Sequence, residues 1–220
     1  MDRQEVIKSI QKLLDEYRGK RKFLQSVEAI INFRGVNFSK PENRINLDIV
    51  LPKGRGKENP IVIFADGQTA LEAKKLGIEH IFSKEDIEKL KNDKKTLKQL
   101  AKKHEFLALP TMMVEIGKNL GQVLSTRGKL PRPIVGPVDL AIKQAKNKIR
   151  ITNKGAYLPT VQFLIGTENM SAEDLAENLE AAYEKIKEKI GGAHLISSIY
   201  VKLTMSPAIK IALEKKGEKK

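Results

Sequence analysis

Asp66 and Gly67, in "IVIFADGQTALEAKK", stand where a buried strand would turn into a helix, the place at which a nucleotide-binding fold sets its phosphate loop. Such a loop needs several glycines so that backbone N–H groups can close around an anion, and this turn offers Gly67 alone. "GRGKEN" begins like the dinucleotide fingerprint and then has Asn59 in place of the last glycine. No Gly-Lys pair has a glycine five residues upstream of its own and Ser or Thr after it, so the triphosphate loop is missing too. Asp66-Gly67 therefore reads as a turn. His80, His104 and His194 are far apart in sequence, and "HEFLA" at His104 lacks the second histidine, one helical turn on, that completes a zinc face. Cysteine is absent, which removes disulfides, thiolate metal sites and thiol nucleophiles together. The carboxylates lie mostly in mixed-charge runs such as "EDLAENLEAAYEKIKEK", the pattern of a solvated helix face. No catalytic residue, metal ligand or cofactor is assigned, and the chain is expected not to be an enzyme.

Two other stretches suit binding better than catalysis. "RGKRKF", Arg18 to Phe23, runs four cations into an aromatic ring. Cations neutralise phosphate, and an aromatic face offers a ribose or base an apolar seat, which is the combination that RNA recognition uses. The same residues would also suit a helix C-terminus, which favours cations, followed by a core phenylalanine. "KLTMSPAIKI", Lys202 to Ile211, interrupts the alternation of "SSIYV" with a Thr-Met-Ser-Pro step. One reading is a strand end, where Thr204 and Ser206 satisfy backbone groups and Pro207 stops the ladder. The other is a recognition edge, where two small hydroxyls and a flexible thioether leave a low surface for an RNA backbone. Pattern alone leaves both choices open.

Composition favours the binding readings. Forty-one Lys and Arg against 27 Asp and Glu give a formal charge of +14 over 220 residues, more than solubility requires, and point to a polyanionic partner with nucleic acid first. The lysines of "KKTLKQLAKKH" read as a solvated helix face. A basic membrane-surface protein is the rival, but no stretch approaches the roughly 18 consecutive apolar residues of a spanning helix. "MDRQEVIKSI" also lacks the basic flank and apolar run of a signal peptide. A cytoplasmic protein with no membrane partner is expected.

The elements that must position these stretches follow from periodicity. "DRQEVIKSIQKLLDEY" sets Val6, Ile10, Leu13, Leu14 and Tyr17 on one helical face. "VEAIINFRGV" and "NRINLDIVLP" alternate as strands and suggest an antiparallel pair. "PKGRGKENP", Pro52 to Pro60, has the composition of an exposed connection and is a hinge candidate. Strands then alternate with helices, the mark of a parallel sheet covered by helices, with "SKEDIEKLKNDKKTLKQLAKKH" as one long helical stretch opened by Ser83. After Asn147 the style reverts: "KIRITNKGAYLPTVQFLIG" reads as a hairpin turning at Asn153 to Gly155, and Ser171 with Asp174 opens a helix with Leu175, Leu179, Ala182, Ile186 and Ile190 on one face. "HLISSIYVKLTM" closes as a strand, and "EKKGEKK" is a charged tail. The expected class is α/β in two domains: a discontinuous α+β domain made from both termini, residues 1–56 and 148–220, with an inserted Rossmann-like parallel α/β domain, residues 57–147.

Three blocks carry a family resemblance. "SIYVKLTMSPAIKI" resembles the closing signature of the large-subunit ribosomal protein L-one family, "KFLQSVEAIINFRGV" its first strand, and "GQVLSTRGKLPRPIVGPV" the glycine- and proline-rich loop of its inserted domain. They stand in the family's order and span nearly the whole chain. The lysine- and glutamate-rich helices and the short N-terminus are more similar to archaeal than to bacterial members. The resemblance implies an RNA-gripping domain built from both termini and a Rossmann-like insert, in a non-enzymatic protein that is a monomer when free of the ribosome. It implies binding to the large-subunit ribosomal RNA stalk near the exit site, assistance in releasing deacylated exit-site transfer RNA, and repression of the protein's own messenger through a leader that mimics the ribosomal site. By motif, Thr204, Met205 and Ser206 fall on the family's Thr-Met-Gly contact surface and Lys22 with Phe23 on its basic-aromatic contact. Glu28 and Ser198 match further positions near that surface, and Asn153 and Lys154 border it. Two departures stand out: Ser206 where glycine is common, and Ser125-Thr126 in place of Gly-Pro before Arg-Gly. The competing functions are a nucleotide-dependent enzyme using the insert and a nonspecific basic RNA chaperone.

Overall fold

The computed structural model describes residues 2–153, 155 and 157–212; Lys154 and the "EKKGEKK" tail lie outside them. The chain opens with α1 (Arg3–Tyr17), whose N-cap Asp2 accepts the Gln4 N–H at 2.9 Å and whose Val6, Ile10, Leu13 and Leu14 are buried. β1 (Ser26–Phe33) and β2 (Asn46–Val50) follow. Next come β3 (Ile61–Phe64), α2 (Gly67–Lys75), β4 (His80–Phe82), α3 (Lys84–Asn92), α4 (Lys94–Lys103), β5 (Glu105–Ala108), α5 (Met113–Ser125), β6 (Arg132–Pro133) and α6 (Val138–Asn147). The chain closes with β7 (Lys148–Thr152), β8 (Thr160–Thr167), α7 (Ala172–Ile190), β9 (Ile196–Leu203) and β10 (Ile209–Ile211). By their contacts these elements fall into two compact units, one made of the chain up to Lys57 and from Asn147 onward, the other of Glu58–Lys146.

In the first unit an antiparallel sheet runs β10-β9-β1-β8. β1 alternates strictly, and β8 and β9 alternate over most of their length. Val27, Ala29, Ile31 and Phe33 of β1, Val161, Phe163 and Ile165 of β8, and Ile199, Val201 and Leu203 of β9 point into one core with the apolar faces of α1 and α7. Both helices pack on one side, so that among the described residues no layer covers the other face of the sheet. The second unit is a parallel sheet, β4-β3-β5-β6, in which Ile61–Phe64 are all buried. Val62, Phe64, Phe106 and Ala108 pack with α3, α4 and α5, while Ile61, Ile63 and Leu107 pack with α2 and α6. Both faces are therefore covered, as parallel sheets require.

Two sequence-based pairings give way to different ones, and two further expectations are modified. β1 does not pair with β2; both of its edges are taken, by β9 and β8, and the connection between β1 and β2 is spent on packing, with Phe38 buried 5.4 Å from Phe33 and Ile45 in the same core. β2 pairs instead with β7, from Asn46 opposite Thr152 to Val50 opposite Lys148. The expected hairpin is thus divided between two sheets, since β7 joins β2 and β8 joins β1, with one bridge, Asn153 to Val161, between them. The long helical stretch is two helices: Asp93 ends α3 and its carboxylate accepts the Thr96 N–H at 3.1 Å, starting α4 afresh. The connection after β2 is also less free than its composition suggests, because the buried Asn178 side chain accepts the Lys53 N–H and donates to Gly54 O.

Candidate nucleic-acid interface

α1 stops when Arg18 N–H donates to Leu14 O and Gly19 takes a φ of +68°, a left-handed conformation that glycine adopts without strain. The chain then runs exposed through Lys20, Arg21, Lys22, Phe23 and Leu24 and is buried again at Gln25. Phe23 is 50% exposed, so the core-phenylalanine reading fails and the aromatic ring is presented to solvent beside its cations. Among the described residues none of Arg18, Lys20, Arg21 and Lys22 forms an ion pair.

The Thr-Met-Ser step lies at the neighbouring strand end, where Thr204 N–H donates to Ser26 O and Ser26 N–H donates to Thr204 Oγ1, both at 3.1 Å. Ser206 Oγ accepts the Leu203 N–H at 2.9 Å and its own N–H closes the turn on Leu203 O. The hydroxyls are therefore committed to backbone, as the strand-end reading requires. Their effect is to leave Met205 outside, 55% exposed. The serine that replaces glycine is accommodated by folding its side chain onto its own turn. The other departure finishes a helix: Ser125 is the last residue of α5, and Thr126 Oγ1 donates back to Val123 O at 3.0 Å.

Beyond this end lies the uncovered sheet face. Glu28 is opposite Lys202 and Leu164, Ile30 opposite Tyr200 and Gln162, and Asn32 opposite Ser198 and Thr160. Asn32 Nδ2 donates to Ser198 Oγ at 3.0 Å, and Lys202 Nζ donates to Thr204 O at 3.3 Å. The structure thus gathers Lys22, Phe23, Glu28, Thr204, Met205 and Ser206 at one end of the face and puts Ser198 six residues before Thr204, near the start of β9. Asn153 is not among them. It is 9% exposed, its Oδ1 accepts the Ile45 N–H at 2.6 Å and its Nδ2 donates to Leu158 O, so it fixes where β7 ends. Lys154 cannot be placed, lying outside the described residues.

Four participants were not singled out in the sequence. Tyr200 and Lys202 were legible in principle, since Ser198, Tyr200 and Lys202 share a parity on one strand. Gln25 and Glu168 were not: both are buried polar residues whose partners are remote in sequence. Desolvation opposes ionisation of Glu168, but hydrogen bonds from Gln25 and Gly19, with Arg18 nearby, outweigh it and hold the carboxyl below its ordinary pKa.

The second unit offers a different site chemistry. The cavity above the strand ends is lined by Asp66, Glu85, Glu88 and Glu115 as well as Lys84 and Lys89, a mixture ill suited to a nucleotide's phosphates. Asp66 Oδ1 is taken by the Lys84 N–H at 3.3 Å. His80 and His104 stack edge to face, 4.9 Å apart, and burial lowers the His104 pKa. Among the described residues no group of three or more His, Cys, Asp or Glu could hold a metal ion.

Fold and surface together define a class: a basic α/β protein that presents an uncovered antiparallel sheet edged by cations and exposed apolar side chains. The pattern of the Ribosomal protein L1p/L10e family matches residues 13–207. A protein of Methanocella arvoryzae named large ribosomal subunit protein uL1 is 40% identical over 215 residues, 96% of this chain and 100% of its own length. Proteins of the same name from Thermococcus kodakarensis and Thermoplasma acidophilum are 39% and 40% identical over 216 and 222 residues, covering 96% and 97% of this chain and 98% and 99% of theirs. The chain belongs to the L1 ribosomal protein family, in its archaeal form, a family of ribosomal proteins and not of enzymes.

Proposed function

We propose that the protein is a structural constituent of the large ribosomal subunit that binds the ribosomal RNA stalk near the exit site. Binding is assigned to the domain made from both termini, residues 1–56 and 148–220, with residues 57–147 as an inserted domain. The observation that supports this reading best is that two half-exposed apolar side chains, Phe23 and Met205, stand with Arg18, Lys20, Arg21 and Lys22, none of them in an ion pair, at one end of a bare sheet. Phe23 gives a base or ribose an apolar seat, Met205 an adaptable one, and the lysines and arginines neutralise the phosphates that come with them. Glu28 and Ser198 supply acceptors for 2′-hydroxyls along the same face. On the family's precedent the protein also assists release of deacylated transfer RNA and represses its own messenger through a leader that mimics the stalk. It acts in the cytoplasm and is a monomer when free of the ribosome. No helix among the described residues is long and apolar enough to cross a membrane.

The deciding experiment measures affinity for the stalk RNA and for an unrelated duplex of equal length across a salt range. A preference of about a thousandfold at physiological salt, cut by about tenfold or more in Phe23→Ala and in Met205→Glu, is the expected result. Equal binding to both RNAs, weakening together with salt, would reduce the protein to a general polyanion binder.

A further inference from the structure

The loop that carries Lys22 and Phe23 is poorly made to hold a shape by itself. Arg18, Lys20, Arg21 and Lys22 crowd four like charges together, and Phe23 and Leu24 are too exposed to anchor it. A segment of this kind repels itself and opens easily. Both of its ends are nevertheless fastened to one carboxylate. Glu168, 4% exposed and just past β8, accepts the Gly19 N–H at 3.1 Å on Oε2 and the Gln25 N–H at 2.9 Å on Oε1. Its Oε2 also accepts from Gln25 Nε2 at 3.2 Å, and its own N–H donates to Gln25 O at 3.0 Å. The Gln25 amide carries the connection onward: Nε2 lies 3.3 Å from Tyr17 O, and Oε1 accepts the Met205 N–H at 3.2 Å. One buried acid closes the base of the cationic loop, and one buried amide ties that base to the turn holding Met205.

We infer that Glu168 is a positioning residue for the RNA contact: through Gln25 it sets the Phe23 loop and the Met205 turn in a single arrangement, so that the two exposed side chains meet RNA as one unit. This deepens the proposed RNA-binding role and rests on it. An ionised acid suits the task better than a neutral residue, because hydrogen bonds to a charged acceptor are roughly twice as strong as neutral ones and the negative charge offsets the repulsion among the four cations above it.

The test is the affinity of the full chain for the stalk RNA at fixed salt, at a temperature where circular dichroism shows every variant folded. Phe23→Ala is expected to weaken binding by about tenfold or more in the natural background and by less than about twofold alongside Glu168→Ala, because a ring already out of place has little left to lose. Gln25→Ala, with Glu168 intact, should shrink the effect of Met205→Ala in the same way. Equal factors in both backgrounds would overturn the inference and leave Glu168 a stabilising residue only. If Phe23→Ala and Met205→Ala leave affinity unchanged in the natural background, the RNA-binding assignment of this surface fails first and the positioning role goes with it. Should Glu168→Ala not fold, Glu168→Gln carries the same comparison, since it keeps the side chain's size and removes its charge.

Discussion

In the parallel sheet every position of Ile61–Phe64 is buried, whereas in Ser26–Phe33 of the antiparallel sheet alternate positions are. The two units use the same apolar residues and carry cations of the same kind, yet they end as opposite kinds of surface. With a helical layer on each side, the parallel sheet can meet a partner only through its helices and loops. The antiparallel sheet, with both helices on one side, keeps eight-residue strands of polar and mixed side chains facing outward. Charge alone would not choose between the units as the RNA binder. In the proposed reading the missing layer makes that choice.

The comparison is broken most decisively in the cores. On β5, Phe106 and Leu107 are adjacent and both buried, so Phe106→Ala and Leu107→Ala should each cost about 2–5 kcal/mol in chemical denaturation. On β1 the cost should alternate, about 2–5 kcal/mol for Ile31→Ala and under about 1 kcal/mol for its neighbour Ile30→Ala, which faces outward. A loss at Ile30 as large as that at Ile31 would mean that something covers the face described as bare.

The same contrast explains what could be read in advance. Local features were legible: the buried stripe of α1, the four buried positions of "IVIF", and the Ser171 cap of α7, whose hydroxyl oxygen accepts the Asp174 N–H at 3.1 Å. Pairing partners were not, because β1 pairs with whichever strands reach its edges, and β8 and β9 arrive more than a hundred residues later. The proposed contact surface was half legible. Composition brought Phe23 and Met205 forward without telling exposure from burial, and the Glu168 that fastens Gln25 is 143 residues away from it, where no local pattern points.

The next effect in size falls on RNA binding. Met205→Glu should weaken affinity for the stalk RNA by about 1–3 kcal/mol, on the order of tenfold to a hundredfold, by placing a like charge where phosphates approach. Val135→Glu adds the same charge at a position 77% exposed in the second unit and should leave affinity within about twofold. Comparable losses at both positions would indicate a response to net charge and not to the sheet end.

Acid should separate the units more gently. The folded Glu168 carboxyl binds its proton less readily than the ordinary value of 4.5, so its contribution is complete above that pH and is lost as pH falls below it. Asp86 in the second unit is lowered from 3.8 to about 2 by hydrogen bonds from Lys89 and from Ser83, so its contribution persists to lower pH and fades between those values. Amide exchange followed from pH 5 to pH 2 should show the Gly19 and Gln25 amides losing protection before the first turn of α3. Glu168→Gln should remove the early loss. A later loss at Gly19 than at α3 would contradict the order.

The smallest effect is also the sharpest on the role of charge. α4 exposes Lys94, Lys95, Lys98 and Lys102, none in an ion pair, so by count of free cations it rivals the loop from Arg18 to Lys22. If the protein held RNA by charge alone, removing a lysine from either place would release a similar number of counterions. If the sheet end is the contact, Lys22→Ala should lower the slope of log affinity against log salt by about 1 and weaken binding a few-fold, whereas Lys98→Ala should change neither. A slope that responds equally to both would assign the charge of the second unit to the same RNA. It would then be the bare sheet, and not the cations around it, that sets the two units apart.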